Sequence, residues 1–145
     1  MKKRFLLLAL ILTIPLISLL RPVSSQNSNE FYTRANTLLI SGKYDDAIIM
    51  YNQAIRQNSK FADAYMGLGM AYKAQGMYNE SYNATLKSLS LKPNYYQAYY
   101  NLGLILENLN RPEEAIVAYE KFLKEVPGAD RFSDAKQRIS ILRKH

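Results

Sequence analysis

The chain has 145 residues, with 19 basic and 12 acidic residues and a formal charge of +7. It contains no cysteine, and its one histidine is His145 at the C-terminus. Disulfides, thiolate nucleophiles and cysteine-bound metals are thereby excluded, as is a lipoprotein anchor, and histidine-centred chemistry would rest on a terminal residue. The charge is uneven: Lys2, Lys3, Arg4 and Arg21 all precede the first acid, Glu30, and without residues 1–25 the chain keeps 15 basic against 12 acidic residues. The basic stripe that nucleic-acid binding requires is not expected on the folded part.

Residues 1–25 read as a targeting segment. A Lys-Lys-Arg start precedes an apolar run over residues 5–20, and Val23 and Ser25 suit cleavage before Gln26. The run is slightly short of a spanning helix, and Pro15 and Pro22 favour a signal peptide. Uncleaved, residues 5–20 would instead anchor the protein in a membrane with its basic end in the cytoplasm. In both cases the remaining chain is expected on the exported side, in a periplasmic, secreted or lumenal space. Residues 26–29 read as a polar linker, with Ser28 as the N-cap of the first helix and Phe31 as its first core residue.

The rest is expected to be helical, over about 29–41, 44–57, 62–75, 78–91, 96–109, 112–125 and 130–143. Gly42, Gly76 and Asn110 mark the turns inside successive helix pairs, and Pro112 stands where a missing N–H costs nothing. Asp45, Asp46, Glu80, Glu113 and Glu114 lie in first turns, where they complement the helix dipole. No pairing of a nucleophile with histidine, no metal-ligand spacing and no glycine-rich phosphate loop is present, so neither enzyme activity nor a cofactor is expected.

A pattern recurs every 34 residues. Phe31, Tyr65 and Tyr99 share one column, expected to wedge between the two helices of a pair. Ala35, Gly69 and Gly103 share the next, where the lack of a large side chain lets helices approach closely. Ala47, Ser81 and Ala115 supply the small residue opposite. Tyr51, Thr85 and Tyr119, with Ala54, Ser88 and Phe122, are expected to pack toward the following repeat, and Pro93 and Pro127 end second helices. Core packing is expected to account for most of the twelve tyrosines, with Tyr95, Tyr96 and Tyr100 as the exceptions. Asn79-Glu80-Ser81 and Asn83-Ala84-Thr85 match the glycosylation sequon but lie on an expected helix. A fixed period of this kind is the mark of a helical repeat array.

The residues Tyr65-Met66-Gly67-Leu68-Gly69-Met70-Ala71-Tyr72, and their counterparts from Tyr99 to Leu106, resemble the tetratricopeptide repeat family. The resemblance covers repeats at 28–61, 62–95 and 96–129, and residues 130–145 continue it as a capping helix with Phe132, Ala135, Ile139 and Leu142 inward. Arg34, Leu38, Ser59, Thr85 and Leu106 depart from the family pattern. The resemblance implies an all-α, right-handed superhelical solenoid of antiparallel helix pairs, with about seven helices after the targeting segment.

It also implies a concave face lined by the first helix of each pair. Its lining would comprise Tyr32, Thr33 and Asn36; Met66, Gly67, Met70 and Lys73; and Gln97, Tyr100, Asn101, Leu104 and Glu107, with Arg131 and Arg138 closing one end. Family members that clamp an acidic C-terminus place lysine, asparagine and arginine at five set positions. Here those positions are Tyr32, Asn36, Gly67, Gln97 and Asn101, so only Asn36 matches and such a clamp is not expected. The expected function is a non-catalytic protein-interaction module that scaffolds a complex by holding a partner protein or peptide in the groove. The alternative is a structural protein that self-associates or is anchored to the membrane, without a groove ligand.

Overall fold

The computed structural model describes residues 23–125 and 132–144, with side chains from residue 27 onward. The expected targeting run at residues 5–20, and Arg131, lie outside the described residues. The described residues form seven helices: α1 (Val23–Ile40), α2 (Tyr44–Gln57), α3 (Ala62–Ala74), α4 (Tyr78–Leu91), α5 (Tyr96–Asn108), α6 (Pro112–Glu125) and α7 (Phe132–Leu142). No helix among them is long and apolar enough to cross a membrane.

The N-terminal boundary departs from the sequence expectation. Helix α1 begins at Val23, so residues 26–29 are helical rather than a linker, and Ser28 lies within the helix and is buried rather than capping its start. A cap residue marks a permitted start, not an obligatory one. No proline or glycine between Val23 and Ile40 prevents the helix from extending backwards.

The turns inside the three pairs are copies of one another. Gly42, Gly76 and Asn110 have φ of 73, 76 and 56°. At each, the next N–H reaches back to a carbonyl five residues earlier: Lys43 to Leu38, Met77 to Tyr72 and Arg111 to Leu106. This closure satisfies carbonyls left open at a helix end, and it needs a residue that tolerates the left-handed region. No atom outside the immediate backbone lies within 4 Å of where a Gly76 Cβ would stand. Gly76→Ala should therefore cost about 1 kcal/mol from backbone strain alone, read as a shift in the denaturation midpoint.

Helices pack most extensively within the pairs α1–α2, α3–α4 and α5–α6. Each pair then meets the next, and α1 touches α3 as α3 touches α5. The result is an all-α solenoid with odd-numbered helices in one layer and even-numbered helices in the other. Ala35, Ala47, Ala98, Ala115 and Ala135 are fully buried, as the close approach of helices requires. Arg34 and Leu38, which depart from the repeat pattern, are exposed and half-buried on α1, the first helix of the stack. Phe31, Tyr65 and Tyr99 are half-buried rather than enclosed.

Where the columns carry serine instead of an apolar residue, the hydroxyl has a backbone partner. Ser81 donates to the Gly69 carbonyl at 2.7 Å and Ser88 to the Ala62 carbonyl at 2.8 Å, both buried. Ser88 thus ties α4 back to the start of α3 in its own pair, not forward to the next repeat as its column suggested. Ser81 and Thr85, the hydroxyl residues of the two sequons, are both buried.

Candidate functional site

The odd-numbered layer presents the surface that the repeat pattern singles out. Its column of Asn36, Met70, Leu104 and Arg138 has one residue from each of α1, α3, α5 and α7, at the 34-residue period. Asn36, Leu104 and Arg138 are half-buried, and Met70 is 40% exposed. Ile40, one turn beyond Asn36, is 87% exposed, and Ile141, just beyond Arg138, is 48% exposed. Ile141 lines a small cavity with Glu107, Asp134, Gln137 and Arg138.

Two tyrosines from the outer layer reach through to this face. The Tyr51 ring lies where a Gly67 Cβ would be, 2.4 Å from that position, and its hydroxyl donates to Asn36 Oδ1 at 2.5 Å. The Tyr119 ring lies equally close to Gly103, and its hydroxyl donates to Glu107. Both tyrosines are fully buried. Between them stands Thr85, whose short side chain lies against Gly69 instead. Tyr32 packs tilted on Tyr51 and Phe61, and Tyr100 packs tilted on Tyr119 and Phe122, with ring centroids 4.9–6.1 Å apart.

Around Tyr119 the cap is tied down by charge. Arg138 Nε donates to Asp134 at 2.8 Å, and its terminal nitrogen donates to Glu107 at 3.1 Å. The Tyr100 hydroxyl donates to the same Asp134 oxygen at 2.7 Å. Burial would make the Arg138 cation's proton easier to lose, but the hydrogen bonds it donates to Asp134 and Glu107 win and raise its pKa. In the middle of the face, Lys73 Nζ donates to Asn101 Oδ1 at 3.2 Å, and Asn101 donates to the Gln97 carbonyl.

Burial pushes the phenols of Tyr51, Tyr95 and Tyr119 above their ordinary value of 10.0, and Asp63 and Glu107 add to this for Tyr95 and Tyr119 respectively. A raised acid pKa means that the folded chain holds its proton longer than the unfolded chain does. This contribution to stability is complete below the unfolded value and is lost as pH rises through the higher, folded value. Stability is therefore expected to fall at pH above about 10, with tyrosinate absorbance appearing together with unfolding; a Tyr119→Phe variant should lose part of that alkaline dependence.

The structure divides the residues expected to line the groove. Met70, Thr33 and Gln97 are exposed, and Tyr32, Asn36, Lys73, Leu104, Glu107 and Arg138 are half-buried. Met66, Gly67, Tyr100 and Asn101 are buried, so they build the wall and are not free to meet a partner. Tyr100 was expected to offer its ring; Tyr119 and Phe122 already cover it. Sequence reasoning missed Ile40 and Ile141. Their signal was present, an isoleucine about one turn beyond a groove position, Asn36 or Arg138.

Residues 62–95 and 96–127 each match the family described as "Tetratricopeptide repeat", and residues 35–76 match the one described as "TPR repeat". These are tetratricopeptide repeats. Over 111 residues the chain is 28% identical to the Hsp70-Hsp90 organizing protein of Triticum aestivum, covering 77% of this chain and 19% of that protein. It is 30% identical over 95 residues to the probable N-acetylglucosaminyltransferase SPINDLY of Arabidopsis thaliana, covering 66% of this chain and 10% of that enzyme. The chain thus spans a fifth or less of these curated relatives.

Among solved structures, the first TPR of Spaghetti (RPAP3), bound to the HSP90 peptide SRMEEVD, superposes with a TM-score of 0.79 at 22% identity, over 83% of this chain and 96% of that one. The Yersinia enterocolitica secretion chaperone SycD, in complex with a peptide of the translocator YopD, superposes with a TM-score of 0.73 at 18% identity, over 85% of this chain and 94% of that one. Both show a shared TPR fold.

Likeness of fold does not bring an acidic-tail clamp with it. Of the five positions concerned, Tyr32 is stacked on two rings, Gly67 lies under Tyr51, and Asn101 is buried and bonded to Lys73. Asn36 accepts from Tyr51, and Gln97 carries no charge.

Proposed function

We infer that this chain is a non-catalytic protein-interaction module that holds a segment of a partner protein along its odd-helix face and so scaffolds or assembles a complex. The observation that carries this reading is the exposure of Ile40, Met70 and Ile141 on three of the odd-numbered helices, over a framework held by buried aromatic and charged contacts. A preformed surface orders little on binding, which favours affinity, and methionine adapts to irregular side chains. The HSP90 peptide held by the Spaghetti TPR and the YopD peptide held by SycD support a peptide-holding mode for a chain of this fold.

The site of action in this proposal is the exported side of a membrane. Its support is the basic, then apolar, then small-residue order of residues 1–25. Mass spectrometry of the mature N-terminus distinguishes a chain starting at Gln26 from one retaining Met1. A reporter fused after His145 that proves cytosolic would remove the export proposal.

The groove is tested with a partner identified by crosslinking in the native cell. Met70→Glu changes an exposed side chain and should leave the fold intact, yet weaken partner binding about tenfold or more by setting a charge against an apolar segment. Tyr100→Ala is the wrong probe, because it would remove a buried ring and destabilise the chain. Full partner recovery by folded Met70→Glu and Ile40→Asp variants would rule the groove out.

A further inference from the structure

We propose that the partner segment is apolar and carries no net charge, in contrast to the acidic SRMEEVD peptide of the Spaghetti complex. This rests on the groove reading above. Its ground is the charge inventory of the face. Among the described residues, the charged side chains on or beside its central column are Lys73, Glu107, Asp134 and Arg138, two of each sign. Each already has an internal role: Arg138 bridges Glu107 and Asp134 at 3.1 and 2.8 Å, and Lys73 is bonded to Asn101 at 3.2 Å. Asp63, at the start of α3, lies 3.7 Å from Lys92.

Among the described residues, an acidic segment could gain a cation here only by drawing Arg138 away from two carboxylates or Lys73 away from a buried amide. Either exchange leaves a partly buried group unpaired, which opposes binding. The cavity beside Ile141 has two carboxylates and one guanidinium among its described lining residues, which disfavours an anion inside it. What the face offers without such a cost is apolar: Ile40 on α1, Met70 on α3, Leu104 on α5 and Ile141 on α7. One such residue per odd helix suits a single segment crossing all four, with its apolar side chains spaced to meet successive repeats. Exposed Gln97 and Thr33 can supply hydrogen bonds to a backbone without selecting for charge.

The test is an array of short synthetic peptides with free C-termini, varied independently in net charge and apolar content and including SRMEEVD. It is probed with the full-length chain and with its Met70→Glu and Ile40→Asp variants. The expected result is retention of apolar peptides of near-zero net charge, with affinity falling about tenfold in each variant. Preferential retention of acidic peptides, lost in the same variants, would overturn the neutral-segment inference and leave the groove reading standing. Retention unchanged in both variants, or no retention of any peptide, would overturn the groove reading and this inference together.

Discussion

Gly103→Leu should lower the melting temperature by roughly 10–20 °C, a loss of about 3 kcal/mol. A Cβ at Gly103 would stand 2.4 Å from the Tyr119 ring, well inside any contact distance. The ring has no room to yield. Tyr119 is fully buried, stacked against Tyr100 and hydrogen-bonded to Glu107, which Arg138 ties to the cap. Leucine has the better helix propensity, but that gain of about 1 kcal/mol is smaller than the cost of overpacking. The strain is expected to spread to α7, because displacing Tyr119 also displaces the partner of Glu107. Thermal denaturation followed by circular dichroism reads the effect; an unchanged midpoint would mean that α5 and α6 do not pair as described.

Tyr51→Ala should cost about 3–5 kcal/mol, since it empties a fully buried aromatic site and leaves Asn36 without its hydroxyl donor. The more searching measurement is its coupling to Gly67. In the wild-type background Gly67→Ala places a methyl 2.4 Å from the Tyr51 ring and should destabilise strongly. With alanine at 51 the obstruction is gone, and the same Gly67→Ala change should become neutral or mildly stabilising through its helix propensity. A double-mutant cycle isolates this pairwise term. Additive effects would show that the Tyr51 ring does not cross from the outer layer to α3. The two experiments are complementary: Gly103 receives a ring from its own pair, Gly67 from the preceding one.

Much of the architecture was legible before any coordinates. The bounds of α2, α4 and α6 coincide with the expected ones, and those of α3 and α5 differ by one residue. The turn positions Gly42, Gly76 and Asn110 are the residues with positive φ. These features are local: a helix pair obeys its own apolar period, and a left-handed turn selects glycine or asparagine wherever it occurs. The start of α1 was misjudged because serine and asparagine at residues 27–29 resemble a cap, whereas the helix carries on behind them.

The candidate surface was less legible. The family resemblance indicated which helices would present it, but not which residues on them stay open. Met66 and Tyr100 are large side chains at groove positions, and from the sequence nothing separates them from Met70 and Leu104. Their burial depends on Tyr119, Phe122 and other side chains arriving from a different helix, and so on contacts distant in the chain. The pairing of charges on the face is likewise a tertiary property: Glu107 and Arg138 lie 31 residues apart and meet only because α7 brings Arg138 to α5.

The sequence by itself determined the repeat, its period, its turns and the columns of small residues, because each repeats the same local solution to burying an amphipathic helix pair. Only the tertiary structure decided which side chains of the odd helices stay exposed, because exposure is set by the size of the side chain that a packed helix brings against them. Tyr51, Thr85 and Tyr119 occupy one column at one period. Yet two of them fill the space between layers and one does not, and that difference shapes the face a partner would meet.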